Sequence, residues 1–189
     1  MDVYIVDSRL NRLWWSFAQE MPGRAFRVDE HWSMHRIAHR IAQHAPSDIN
    51  CLCLCSHGDL TGGGEVHLGA GLNPQNAREF EYLRGRFRDN ARIEIHACAI
   101  LSGSPISVRS TPVLPFVPTY VLDRAVTSPG TFDPNGQGTA TMRALAIATQ
   151  VVVHAPINAQ RPDRRFSIEG PVGTFRPPFG SVMIGHPGA

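Results

Sequence analysis

His57 is followed by Gly58, and Cys98 lies forty-one positions further along the chain. These residue types do chemistry together. A free thiol with a pKa of about 8.5 is only a few per cent thiolate at pH 7. An imidazole beside it accepts the thiol proton or, as imidazolium, lowers the thiol pKa. Such a pair attacks a carbonyl carbon and returns the proton to the leaving amine. Gly58 lets the backbone approach a substrate closely. The N–H groups of Gly58 and Cys98 can receive the developing oxyanion, each donor typically worth about 2.7–4 kcal/mol.

For the pair to meet, two strands must deliver it. Residues 49–55 (INCLCLC) are a continuous apolar run, typical of a strand buried on both faces in a parallel sheet. The run stops at Ser56-His57-Gly58-Asp59. Residues 93–100 (IEIHACAI) form the second strand, which carries Cys98. Parallel neighbours put their carboxyl ends on one rim, where ligands of open α/β sheets bind. Upstream, residues 3–6 predict a strand closed by Asp7. Residues 10–20 predict a short helix or turn-rich connection, and 25–28 a second strand after the Met21-Pro22-Gly23 breaker. Asp29 caps a helix running to about His44, which Ala45-Pro46-Ser47 ends. A glycine cluster at 62–64 leads into a hook over 65–72. Asn73 and Pro74 start a helix whose buried face is Ala77, Phe80, Leu83 and Phe87, ended by Asp89-Asn90. Alternating strands and helices mean crossover connections and a mostly parallel sheet covered on both faces. The expected architecture is therefore α/β, a three-layer α-β-α sandwich in one domain spanning 1–189.

Residues 101–138 break the pattern. Prolines at 105, 112, 115, 118 and 129 among Ser, Thr and Gly predict a long loop or lid with at most one short strand, at 119–122. Thr141 opens a helix with Met142, Leu145, Ala146 and Thr149 on one face. Residues 151–155 are another buried strand. The tail, 166–184, predicts a terminal antiparallel hairpin.

Composition narrows the function classes. Hydrophobic residues make up 42% of the 189, enough for a core, which excludes wholesale disorder. Eighteen basic against sixteen acidic side chains give +2, no electrostatic case for a nucleic-acid partner. No stretch approaches the roughly 20 apolar residues of a membrane span. The start, MDVYIVDSRLNR, does not read as a signal peptide. The four cysteines, at 51, 53, 55 and 98, do not spell a disulfide framework and suit a reducing compartment. The expected location is the cytoplasm, or outside the cell by a route without a classical leader.

Several residues have a plainer reading. Three thiols and the His57 imidazole suggest a zinc set, but alternate side chains of an extended strand repeat every 6.6–7 Å or so, which argues against one ion gathering them. Core packing is the expectation for Cys51, Cys53 and Cys55, with no metal and no cofactor. His96 is expected to be a sheet-buried histidine in preference to a second base. Asp59 either lines a substrate pocket or caps the turn. Ser56 lies beside the same pocket or stabilises the loop. Trp14, Trp15 and Trp32 are core or interface aromatics, and Arg161, Arg164 and Arg165 a solvated basic turn. Asp123 lies in the long loop as a conceivable cleavage point with no specific signal.

Taken together, CLCLCSHGD, the GGGEVHLGAGL hook, IEIHACAI and GQGTATMRALAIATQVVVHA resemble the caspase-like cysteine peptidases (clan CD: caspases, legumain, gingipains, separase), and among them a bacterial branch with His-Gly and Ala-Cys blocks. The resemblance runs from about Val3 to the tail. It implies that the strands before His-Gly and Ala-Cys are adjacent, that His57 is the base and Cys98 the nucleophile, and that the substrate is a protein or peptide. His96-Ala97-Cys98-Ala99-Ile100 keeps the Ala-Cys core of the caspase signature and lacks its glutamine and its Arg-Gly. That departure argues against a true caspase and leaves cleavage specificity open. Two other functions stay compatible with the residues: an inactive interaction module on the same fold, and an acyl-transferring effector or toxin.

Overall fold

The computed structural model describes residues 1–10, 12–45, 47–59, 63–105, 107–111, 123–158, 160, 166–168, 170–178 and 180–185, with 107–111 and 123–128 described as backbone. In chain order the elements are β1 (Asp2–Asp7), α1 (Arg12–Glu20), β2 (Arg24–Val28), α2 (Met34–His44), β3 (Ile49–Cys55), a 3-10 helix (Ala77–Leu83), β4 (Phe87–His96), β5 (Ser107–Thr111), β6 (Asp123–Ser128), α3 (Gln137–Thr149), β7 (Val152–Pro156), β8 (Val172–Arg176) and β9 (Ser181–Gly185). Seven strands form one sheet in the order β2-β1-β3-β4-β7-β8-β9. The first five run parallel, and β8 and β9 are added antiparallel.

The expected α/β class and mostly parallel sheet are therefore present, as is the antiparallel terminal hairpin. INCLCLC lies between two parallel partners, β1 and β4, which is why nearly every residue of it is apolar.

Side-chain alternation divides the core. Val3, Ile5, Leu52, Leu54, Ile93, Ile95 and Val153 face one side, where Met34, Ile37 and Ile41 of α2, Phe80 of the 3-10 helix, and Met142 and Leu145 of α3 pack on them. Each fully buried aliphatic side chain there contributes about 1.5–3 kcal/mol. Tyr4, Val6, Cys51, Cys53 and Cys55 face the other side and meet Trp14 and Ala18 of α1 and Phe166. Helix α1 is nine residues long and packs on β1 and β2, and its Trp14 lies edge-on to His96 of β4 with ring centroids 6.0 Å apart.

Four boundaries differ from the sequence expectation. Helix α2 begins at Met34, because the Ser33 hydroxyl accepts the Arg36 amide hydrogen and is the cap; Asp29 instead holds a turn through the His31 amide. The helix expected from Asn73 to Phe87 is three turn residues and a short 3-10 segment. Asp89 and Asn90 belong to β4, which starts at Phe87 opposite Ile49 and is irregular between Ile49 and Cys51. Helix α3 starts four residues before Thr141. The 101–138 segment contains two strands, β5 and β6, paired antiparallel, and the strand expected at 119–122 lies outside the described residues. Proline and serine content hid this hairpin because its pairing depends on a partner across the loop.

Asp7 ties the end of β1 to the hook. Its carboxylate is fully buried and accepts from the Arg9 Nε at 2.7 Å, the Arg9 amide at 3.0 Å and the Gly69 amide at 2.8 Å. The Arg9 guanidinium donates in turn to the carbonyls of His67 and Gly69. Burial works to raise the Asp7 pKa, but these hydrogen bonds and the Arg9 charge outweigh it and hold the carboxyl below its usual range. A pKa lower in the folded than in the unfolded chain stabilises fully above the unfolded value, about 3.9, and is lost as pH falls through the folded one. Asp7→Ala is expected to cost about 3 kcal/mol near pH 7, the low end for stranding one partner of a buried pair because Arg9 is 32% exposed. Urea unfolding should show a smaller loss at pH 3 than at pH 7; an equal loss at both would detach the effect from ionisation of Asp7.

Candidate functional site

The two chemistry-bearing blocks arrive at one rim. Strands β3 and β4 are parallel neighbours with Cys55 opposite His96, and the Ser56 amide extends the ladder by donating to the His96 carbonyl at 3.1 Å. Gly58 then lies directly against Cys98. A Cβ on Gly58 would overlap the Cys98 carbonyl oxygen and stand 2.8 Å from its amide nitrogen, so the contact has room only for glycine. Behind Cys98 the chain turns sharply. Ala99 has φ 56°, a left-handed conformation that costs a residue with a Cβ on the order of 1–3 kcal/mol. The turn is held from outside: the Ala99 amide donates to Asn158 and the Leu101 amide to Pro156, both from the end of β7 and the segment after it.

The side chains take different directions along the rim. The His57 imidazole is exposed, with Nε2 at 3.1 Å from the Arg9 carbonyl, next to the end of β1. The Cys98 sulfur lies beside Gln160, after β7, with the Gln160 amide nitrogen at 3.4 Å and its carbonyl oxygen at 3.7 Å. The rim brings together the backbones of Gly58 and Cys98, while the imidazole and the thiol each face a different neighbour. Ser56 is buried and its hydroxyl donates to the His57 carbonyl at 3.1 Å, so it braces the loop. Asp59 is partly exposed at the start of the hook, whose Val66 bridges both Gly58 and Leu72. Gly64 of the hook packs on Ile100 and Gly138, which seats it against the turn after Cys98 and the start of α3. Arg161, Arg164 and Arg165 lie outside the described residues.

A second constellation lies on the second face of the sheet. A cavity of about 780 Å3 opens there, lined among others by Cys51, Cys53, Arg92, Glu94, His154 and Thr174; neither His57 nor Cys98 lines it. Register explains the lining. Tyr4 stands opposite Cys53, Cys53 opposite Glu94, Glu94 opposite His154, and His154 opposite Thr174, one row across five strands. Arg92 Nε lies 2.5 Å from Glu94 Oε1, His96 Nε2 3.3 Å from Glu94 Oε2, and Thr174 Oγ1 3.1 Å from His154 Nδ1. Burial works to raise the Glu94 pKa, but hydrogen bonds and charge from His96 and Arg92 outweigh it and bring the carboxyl down to about 2. Burial lowers the His154 pKa against the pull of Glu94. Cys53 is pushed up by its contact with Cys51 and by burial, and Cys55 by burial.

His96 is sheet-buried as expected, with a carboxylate partner. The spacing argument against gathered thiols needs correction: the Cys51 and Cys53 sulfurs are 3.6 Å apart. The strand repeat constrains Cα atoms, and side chains lean along the strand toward each other. Sequence reasoning missed Glu94, Arg92 and His154. The available signal was the strict alternation in ARIEIHA, which puts Arg92, Glu94 and His96 on one face of a central strand.

Among the described residues, no helix is long and apolar enough to cross a membrane. No family model, curated protein or solved structure matches the chain.

Gly58→Ala forces a Cβ into the Cys98 backbone and is expected to destabilise by about 1–3 kcal/mol, the usual cost of overpacking. Denaturant unfolding and the alkylation rate of Cys98 should both change; a variant with native values of both would show that the blocks do not abut.

Proposed function

We propose that the chain is a cysteine peptidase in which Cys98 is the nucleophile and His57 the base, built on a caspase-like three-layer α-β-α fold. The observation that carries this reading is the contact of Gly58 with the Cys98 backbone at the carboxyl rim of two adjacent parallel strands. The strained turn at Ala99 is a second support, since stored backbone strain clusters at functional sites. Helices on one face and α1 on part of the other are compatible with three layers.

In this mechanism the imidazole leaves the Arg9 carbonyl and turns to the thiol. That exchange gives up one exposed hydrogen bond, about 1 kcal/mol, and catalytic contacts often close only when substrate is bound. Cys98 transfers its proton to His57 and its sulfur bonds to the substrate carbonyl carbon. The oxyanion rests on the Gly58 and Cys98 amides. Collapse breaks the C–N bond, the amine takes the proton from His57, and a thioester remains. Water, losing a proton to His57, then hydrolyses the thioester and restores the thiol. The substrate is a protein or peptide, and the free thiols suit a reducing compartment.

One observation favours a second function, a non-catalytic interaction module. Both functional groups are engaged elsewhere, the sulfur by Gln160 and the ring by Arg9. An electrophilic peptide probe decides between them. The peptidase requires labelling that Cys98→Ala abolishes and peptide cleavage that His57→Ala slows by about 10²–10⁴-fold. A Cys98 thiol with pKa near 8.5 and slow alkylation, or labelling that persists in Cys98→Ala, would sink the assignment.

A further inference from the structure

We propose that Cys51, Cys53 and Glu94 bind one thiophilic divalent cation, with zinc the best match, in a site whose fourth coordination position opens into the cavity on the second face of the sheet. One ligand atom from each residue lies within 4.8 Å of the other two. The sulfurs are 3.6 Å apart, and the Cys53 sulfur is 3.9 Å from Glu94 Oε2. Tetrahedral zinc with Zn–S bonds of about 2.3 Å and Zn–O bonds of about 2.0 Å needs an S···S separation of about 3.8 Å and an S···O separation of about 3.5 Å. The Cys51–Cys53 and Cys53–Glu94 separations are thus within a few tenths of an ångström of those a tetrahedral zinc site needs, before any cation enters.

Charge supports the same occupant. The Arg92–Glu94 pair with two neutral thiols sums to zero. A dication that displaces two thiol protons leaves two thiolates, one carboxylate, one guanidinium and the ion, again zero. A buried site that is neutral both empty and filled avoids the large cost of an uncompensated charge. His96 and Arg92 hold the carboxylate as outer-sphere partners hold a ligating group, Arg92 on Oε1 and His96 on Oε2. The two-sulfur, one-oxygen donor set is too soft for magnesium or calcium, which take oxygen ligands. Closing Cys51 to Cys53 as a disulfide is disfavoured, because the ladders from β1 and β4 on either side hold β3 extended. The open fourth position faces the cavity that His154 also lines, so water or an anionic ligand can complete the shell. The site is separate from the rim and independent of the peptidase assignment.

Cobalt(II) added to the reduced full-length protein tests it, as a spectroscopic stand-in for zinc. One equivalent is expected to give sulfur-to-cobalt charge-transfer absorption and tetrahedral visible bands, both erased by one equivalent of zinc. Cys51→Ser and Cys53→Ser should each weaken binding by more than 100-fold, and Glu94→Gln by 10-fold or more with charge transfer retained. Cys98→Ser should leave cobalt binding and its spectrum unchanged. The unmodified chain supplies a second readout if the serine variants do not fold. Zinc should shield two of the four thiols from alkylation, and peptide mapping should place them at 51 and 53. No charge-transfer band at stoichiometric cobalt, a band that survives in the Cys51→Ser/Cys53→Ser double variant, or shielding of Cys98 instead would each overturn the proposal.

Discussion

The parallel ladder between β3 and β4 sets Cys51 opposite Arg92, Cys53 opposite Glu94 and Cys55 opposite His96. A slip of one residue would turn every one of these side chains to the other face. The leucines of β3 and the isoleucines of β4 hold the register, since they can be buried under α2 and α3 only in this phase. The same register brings the backbone past His96 to the point where Gly58 meets Cys98. One pairing therefore positions both the rim and the polar row: the rim beyond the strand ends, the row across their middle.

Charge buried by that arrangement is compensated locally. Asp7 holds Arg9 and the hook at the end of β1, and Glu94 holds Arg92 and His96 on the second face. Both carboxylates are held below their usual pKa range against the effect of burial by hydrogen bonds, from Arg9 and the Gly69 amide at Asp7 and from His96 and Arg92 at Glu94. Asp7 acts on the rim indirectly, because the residue it orients, Arg9, offers the carbonyl that His57 contacts. The resting direction of the imidazole is thus a property of the β1 end as much as of its own loop.

The two faces of the sheet are packed differently. Three helical segments pack on the first face, and the nine-residue α1 packs on β1 and β2 on the second, its Trp14 edge-on to His96 of β4 and to Phe166. What remains over β3, β4, β7 and β8 is a cavity with a polar floor. A central sheet strand normally carries apolar residues on both faces; β4 departs from this with Arg, Glu and His on one of them. That local conflict with the packing rule is the kind expected where a sheet serves a function as well as a core.

Local pattern determined a good deal alone. The strand at 49–55, the buried face of α3, the terminal hairpin and the alternating order of elements follow from apolar periodicity and turn residues, which act over a few positions. That the two blocks end at one rim followed too, because parallel neighbours must end on the same side. Tertiary structure decided what depends on a distant partner: the β5–β6 hairpin, the entry of Asp89 and Asn90 into β4, and the convergence of Cys51, Cys53 and Glu94. Side-chain direction belongs with these. A histidine and a cysteine can be assigned to one rim from sequence, but Arg9 and Gln160 turn them to different neighbours, and both are fixed by contacts more than forty residues away along the chain.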